Sequence, residues 1–321
     1  MNKNNVILFG MPNCYKLAKN ISNRLEIPLS EIKRITFADT ESMLISQQTV
    51  RQKDVFVVAS TSMPVNENLM ELLIFLDSLK RASANSITVI LTYYGYARQD
   101  RKESGRQPIS AKLVANLLQT AGATKIIAVD LHNPAIQGFF DIPIDDLKGA
   151  FVLAKPIIDS KETFTVVSPD HGGTNRARKL AELIANSIKI CIIDKRRIDT
   201  DKTEILGLIG NIKDQNAVII DDIIDTGGTI LKAAQALKDN GARKIIIAAT
   251  HGLFTKGFEM FENNPNIEKV IITDSINNEH LVSKFSKLQV VSLDKFLAGV
   301  IDCHINGSSI STLYNRFQEL I

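Results

Sequence analysis

Val218-Ile-Ile-Asp-Asp-Ile-Ile-Asp-Thr-Gly-Gly-Thr-Ile230 is the stretch whose reading decides the fold of this chain. The apolar run Ala217 to Ile220 reads as a strand buried on both faces, as the strands of a parallel sheet are. The acidic pair Asp221-Asp222 follows it. Asp225-Thr-Gly-Gly-Thr229 then opens a helix expected over Ile230 to Asn240, which Gly241 closes. A strand, a glycine turn and a helix N-terminus together make an anion site. Backbone amides and the positive end of the helix dipole point into the turn, and the glycines let an oxyanion approach the chain. Carboxylates just before such a turn repel a bare phosphate but bind hydroxyls and metal ions well. A phosphorylated sugar satisfies both halves. The plain alternative is a well-capped turn with solvated aspartates.

Working outward, the same alternation recurs. Strands are expected at Val6–Phe9, Val55–Ala59, Ile87–Leu91, Lys125–Val129, Thr165–Val167, Lys189–Ile193, Ile205–Ile209 and Lys244–Ala249, with a strand edge or hairpin at Ile35–Glu41. Helices are expected at Tyr15–Leu25, capped by Asn13, at Asn66–Arg81, and at Ala111–Ala121, capped by Ser110 and stopped by Gly122. Further helices are expected at Phe151–Ile158 and Thr174–Ile184. Strands alternating with helices specify α/β domains with mostly parallel central sheets. The break near Leu147-Gly149 divides residues 1–148 from 149–303, with 304–321 as a C-terminal helix that could pack on the N-terminal domain.

A chain of 321 residues, 45% hydrophobic and 23% charged, has the composition of a globular protein and can bury two cores. A net charge of +3 without a polybasic run excludes a nucleic-acid binder. No apolar run reaches membrane-spanning length, and Val6 to Phe9 is too short for a signal core. Cys14, Cys191 and Cys303 show neither metal spacing nor a disulfide framework, which suits a reducing compartment. A cytoplasmic location is expected.

Gly122-Ala-Thr-Lys-Ile-Ile-Ala-Val-Asp-Leu-His132 aligns without gaps on Gly241-Ala-Arg-Lys-Ile-Ile-Ile-Ala-Ala-Thr-His251. A duplication would explain the shared lysine and histidine. The polar segment Tyr93-Tyr-Gly-Tyr-Ala-Arg-Gln-Asp-Arg101 would then occupy in the first half the place of the glycine turn in the second. Its arginines suit a polyphosphate, although a solvated loop reads the same from charge alone. Three other stretches carry chemistry. Asp130 and His132 end a strand, where His132 is either a metal or phosphate contact or a satisfied structural histidine. Ser168-Pro-Asp-His-Gly-Gly-Thr174 puts Asp170 where a divalent ion could sit, with Arg176 and Arg178 in the first helical turns against the dipole. Asp194-Lys-Arg-Arg197 is either a mobile cationic loop closing on a phosphoryl group or an exposed hairpin tip.

Together these motifs resemble the ribose-phosphate pyrophosphokinase, or phosphoribosyl pyrophosphate synthetase, family. The run Tyr93 to Lys102, Arg106-Gln-Pro-Ile-Ser-Ala-Lys112, Val-Asp-Leu-His132, Ser-Pro-Asp-His-Gly-Gly173, Asp-Lys-Arg-Arg197 and Asp-Asp-Ile-Ile-Asp-Thr-Gly-Gly-Thr229 carry the likeness. It covers Asn68 to about His251, with weaker matches at both ends. The resemblance implies two phosphoribosyltransferase-like, Rossmann-type domains. It implies transfer of the diphosphoryl group of ATP to the C1 hydroxyl of ribose 5-phosphate, with Mg2+ as cofactor. By position, Asp225, Thr226, Gly227, Gly228 and Thr229 would hold the 5-phosphate, and Asp221 and Asp222 would face the ribose hydroxyls. Arg98 and Gln99 would contact ATP, and His132 and Asp170 would serve the metal or its phosphate shell. Lys195 and Arg197 would neutralise charge on the transferred group, Arg197 also reaching the sugar phosphate. Phe37, Asp39 and Glu41 match the family's adenine-gripping segment, with Thr40 in place of its glycine. Arg51, followed by Gln52 where the family has glycine, and Ser309 with Ser311 match its regulatory phosphate or ADP site. The family's homo-oligomer, a hexamer of dimers, is implied as well. A phosphoribosyltransferase and a non-catalytic regulatory paralogue are the competing readings.

Overall fold

The computed structural model describes residues 3–185, 189–199 and 202–319, with the side chains of 4, 196–199, 202–205 and 316–319 outside the description. Its contacts divide the chain into two compact units. One comprises Met1–Lys148 with Leu293–Leu313, the other Gly149–Ser292 with Tyr314–Ile321. The sequence division had assigned 293–303 to the second domain.

The first unit contributes strands β1 (Val6–Gly10), β2 (Leu29–Ser30), β3 (Ile32–Thr36), β4 (Ser42–Ser46), β5 (Asp54–Ser60), β6 (Ser86–Tyr93), β7 (Lys125–Val129) and β8 (Ile144–Leu147). Six of them form one sheet in the order β2-β1-β5-β6-β7-β8, with every pairing parallel. Helices α1 (Tyr15–Leu25), α2 (Val65–Arg81) and α3 (Ser110–Ala121) are the crossovers that parallel pairing demands. β5 is buried at every position, which is why its run reads as continuously apolar rather than alternating. β3 and β4 pair antiparallel as a separate hairpin, closed by the turn Phe37–Glu41.

In the second unit, β9 (Phe164–Ser168), β10 (Cys191–Asp199), β11 (Lys202–Ile209), β12 (Asn216–Ile224), β13 (Ile245–Gly252), β14 (Lys269–Thr273) and β15 (Leu288–Val291) form a seven-stranded sheet. Its order is β11-β10-β9-β12-β13-β14-β15, and only the β10–β11 edge is antiparallel. The helices are α4 (Ala150–Asp159), α5 (Thr174–Ala185), α6 (Gly228–Asp239), α7 (Glu259–Glu262) and α8 (Glu279–Val282). The period-two alternation of β12 splits its side chains between two cores. Ala217 and Ile219 pack with Ile230, Ala233 and Leu237 of α6, while Val218 and Ile220 pack with α4 and α5. Helix α9 (Asp294–Asn306) returns to the first unit, where Arg24 Nε on α1 reaches Asp294 Oδ2 at 3.0 Å. The division of units falls within the last helix, α10 (Ile310–Glu319).

Two expected caps are corrected. Asn13 does not cap α1; its amide donates to Ser60 O at 2.7 Å, and Cys14 precedes the helix with no side-chain cap. Ser110 is the first residue of α3 rather than its cap, and its hydroxyl donates to Gln99 Oε1 at 2.6 Å. In both cases the side chain is turned to donate to an acceptor outside the helix. The glycine stops hold, with φ of +127° at Gly122 and +87° at Gly241.

Candidate functional site

β12 does not end at its apolar run. It continues through Asp221-Asp222 to Ile224, so both carboxylates are presented by an ordered strand. Asp222 is buried and Asp221 half-buried. Arg176, from the first turn of α5, places Nη1 3.2 Å from Asp221 Oδ1 and 3.3 Å from Asp222 Oδ1. A cation against the helix dipole is explained by these two acids. Burial, and then the Asp222 carboxylate, push Asp221 well above the ordinary carboxylate range, against the pull of Arg176. Gly227 follows in the left-handed region at φ +81°. A Cβ there would lie 2.6 Å from Cζ of Phe261, so both conformation and space require glycine.

Alongside, the loop after β9 bends around Asp170. Gly173 N donates to Asp170 Oδ1 at 2.9 Å, and Ser168 Oγ donates to Asp170 O at 2.6 Å. Lys195, from β10, places Nζ 2.8 Å from Asp170 Oδ2. One residue on from Asp170 and one back from Lys195, His171 Nε2 lies 3.0 Å from Asp194 Oδ1. Burial acts to raise the Asp170 carboxyl. The Lys195 ammonium, the Gly173 amide and the Arg176 charge outweigh it and hold the group below its ordinary value. The cationic stretch after Asp194 is therefore a hairpin, β10 with β11, rather than an irregular loop. Lys195 is on it. Arg197 has its backbone in β10, and its side chain lies outside the described residues. Asp225, Thr226, Gly228 and Thr229 complete the turn and the first residues of α6.

In the first unit, Arg98 and Gln99 line a cavity of about 490 Å³ with Pro64, Asn66, Tyr93 and Tyr96. Gly95 passes so close to Thr61 that a Cβ would meet Thr61 O at 2.4 Å. Gln99 is fixed by the start of α3, accepting from Ala111 N at 3.2 Å and from the Ser110 hydroxyl. Burial pushes the Tyr94 phenol upward, and its hydroxyl donates to Ala111 O at 2.8 Å. Asn133 Nδ2 donates to Asp100 Oδ2 at 2.5 Å, which joins the arginine loop to the stretch holding His132. That stretch leaves β7 abruptly, with Asp130 at φ +44°. Phe37, Asp39 and Glu41 form the hairpin turn between β3 and β4, where Glu41 N donates to Asp39 Oδ1 at 3.1 Å and Phe37 is exposed. Arg51 Nη1 donates to Ser83 Oγ at 3.3 Å. Ser309 and Ser311 start α10, with Ser311 N donating to Ser309 Oγ at 3.2 Å.

The internal echo has a structural counterpart. Val89 of β6 lies opposite Ile126 of β7, as Ala217 of β12 lies opposite Ile245 of β13. Counting on from these pairs, Tyr93 at the end of β6 falls level with Asp221, after which the units diverge: β12 runs on to Ile224 and α6 begins at Gly228, whereas β6 stops and α3 begins only at Ser110. The two units share a scaffold and differ in what they present at its carboxyl end. Nothing along the chain marks Arg176 as partner of the acid pair, because α5 and β12 meet only in the fold.

Comparison with known proteins finds a family profile in each half of the chain. The family profile described as the N-terminal domain of ribose phosphate pyrophosphokinase matches residues 6–122, and that of the phosphoribosyl synthetase-associated domain matches 196–315. The chain is 58% identical to the ribose-phosphate pyrophosphokinase of Mycoplasmopsis pulmonis over 319 residues, 99% of each protein. It is 46% identical to that of Fusobacterium nucleatum, over 98% of this chain and 100% of that one. The crystal structure of phosphoribosylpyrophosphate synthetase from Mycobacterium smegmatis superposes with a TM-score of 0.82 at 36% identity, covering 95% of this chain and 100% of that one. Two phosphoribosyltransferase-like units, the acid pair before a glycine turn and this degree of identity lead to one conclusion: the chain belongs to the ribose-phosphate pyrophosphokinase family.

Proposed function

We propose that the chain transfers the β,γ-diphosphoryl group of ATP to the C1 hydroxyl of ribose 5-phosphate, giving 5-phosphoribosyl 1-pyrophosphate and AMP. The observation that carries this is Lys195, set on Asp170 beside the acid pair and glycine turn of the same unit. A sugar-phosphate pocket alone has no use for a second cation-bearing hairpin. The sugar oxygen forms the bond to the β-phosphorus, and AMP leaves with the α,β-bridging oxygen. The sugar hydroxyl is the nucleophile, so the protein's task is positioning and countercharge.

Asp225, Thr226, Gly227, Gly228 and Thr229 hold the 5-phosphate, and Asp221 and Asp222 receive the ribose hydroxyls. Arg98 and Gln99 bind the ATP phosphates, with Phe37, Asp39 and Glu41 of a neighbouring copy gripping the adenine. Lys195 and Arg197 neutralise the transferred group. Asp170 fits a magnesium ion held largely by nucleotide phosphates, being a partly exposed hard oxygen ligand. Magnesium, when bound, would offset the charge of the phosphates. The imidazole of His132 suits the phosphate shell. Arg51, Ser309 and Ser311 form an allosteric phosphate or ADP site, and the enzyme is a homo-oligomer, a hexamer built from dimers. It works in the cytoplasm.

Protein incubated with ATP, magnesium and ribose 5-phosphate should release AMP in step with sugar consumption. ADP as the product would overturn the diphosphoryl assignment, and absence of turnover would favour a non-catalytic paralogue.

A further inference from the structure

The turn from Asp225 to Gly228 is shaped from outside, by the segment that follows β13. Leu253 N and Phe254 N both donate to Ile224 O, at 2.8 and 3.3 Å, and Thr255 N donates to Asp225 O at 3.2 Å. Phe254 itself stands at φ +48°, and Gly257 N donates back to Phe254 O at 2.8 Å to close a tight bend. Beneath the bend, Phe254 and Phe258 meet edge to face at 5.1 Å, and Phe258 stacks on Phe261 at 5.4 Å. The Phe261 ring fills the space under Gly227. A rigid aromatic floor therefore supports both the bend and the glycine turn.

On that floor one side chain reaches the turn. The Thr255 hydroxyl donates to Asp225 Oδ1 at 2.6 Å. An ionised carboxylate can only accept, so the hydroxyl proton is committed to it. Such a charge-assisted bond fixes the rotation of the carboxylate, and the β-branched threonine has few rotamers through which to release it. We propose that Thr255 is a positioning residue for ribose 5-phosphate, fixing the Asp225 carboxylate and with it the start of the turn that holds the 5-phosphate. This rests on the reading of the glycine turn as the sugar-phosphate site. It adds that the site is set by two βα loops rather than one.

The test separates sugar affinity from chemistry. Thr255→Val removes the donor at nearly constant shape, and should raise KM for ribose 5-phosphate about tenfold while kcat and KM for ATP hold. Thr255→Ser, which restores the hydroxyl, should recover most of that loss. Calorimetric titration of ribose 5-phosphate into each variant should show the same order. Should Thr255→Val not fold, Thr255→Ala takes its place; the residue is exposed, so melting curves for both should stay near wild type. An unchanged sugar KM in Thr255→Val overturns the proposal, as does equal loss in the valine and serine variants. Asp225→Ala distinguishes the underlying reading. If it leaves sugar binding intact, the glycine turn is not the sugar-phosphate site. If it weakens sugar binding and Thr255→Val does not, only the role of Thr255 falls.

Discussion

Thr40 and Gln52 stand at φ +75° and +56°, angles that a glycine adopts without strain. The family resemblance marks both as places where glycine has been replaced, and the backbone has kept the glycine conformation regardless. Thr40→Gly should therefore stabilise the protein by about 1 kcal/mol, the left-handed strain of a β-branched residue outweighing the entropy of the freer chain. Urea denaturation of the two proteins checks this. Asp221 illustrates a different residue-scale effect. Its folded pKa is raised, so its charged form is disfavoured in the fold, and the stability present below the ordinary carboxylate value is lost as pH rises through the raised one. Asp221→Asn should raise the melting temperature at pH 7 to 8, with the gain shrinking as the pH is lowered, while weakening sugar binding. The aspartates were legible in the sequence as a ligand set. The raised pKa of Asp221 was not, because it comes from burial in the folded chain and then from the Asp222 carboxylate, against the pull of Arg176, 45 residues away along the chain.

Among the elements, the β10–β11 hairpin carries the most chemistry and was the least determined by sequence. A run of cations before an acidic stretch fits a loop as well as a hairpin tip, and only the antiparallel register decides it. Lys195→Ala should lower kcat by about two orders of magnitude with the sugar KM little changed, as removal of a countercharge to the transition state does. Equal losses in both would assign Lys195 to ground-state binding. The Lys195–Asp170 pair also sets a pH dependence. Because the Asp170 carboxyl is depressed, its contribution to stability is complete above the ordinary carboxylate value and is lost as pH falls through the lower folded value. The stability difference between wild type and Asp170→Asn should thus be constant from pH 6 to 8, within ordinary working conditions, and should vanish only in acid. A glycine turn between buried strand and helix was, by contrast, plain from the residues alone. Its apolar run, its glycines and its helix stop each have a local cause.

For the molecule as a whole, the alternation of strands and helices was readable up to Ala249 and not beyond. β14, β15 and α9 lack the strong helix–strand signals of the earlier repeats, and nothing local says that Leu293–Leu313 pack with residues far upstream. Phe296, Leu297, Val300 and Ile301 of α9 are buried. Each such side chain is worth about 1.5–3 kcal/mol on burial. A chain ending at Ser292 should consequently lose the cooperative unfolding of the first unit, while the sheet of the second unit retains its strands. Hydrogen exchange resolved by segment would show protection lost in β1 and α1 and kept in β12 and β13. Uniform protection would refute the discontinuous unit.

The hairpin has a further consequence for anyone altering it. β10 pairs with β9 only through Cys191 and Ile192, and among the described residues β11 pairs only with β10. Beyond residue 192 the two strands form a ribbon at the margin of the sheet, where exposed backbone amides and carbonyls offer a template to another chain. Leu206 and Ile209 are exposed on it. The charged residues that the sequence places along both strands, Lys195-Arg-Arg-Ile-Asp199 and Lys202-Thr-Glu204, are of the kind that discourages such pairing. Variants that neutralise several of them at once should form aggregates by strand addition, and sedimentation of each variant will tell that loss apart from a loss of chemistry.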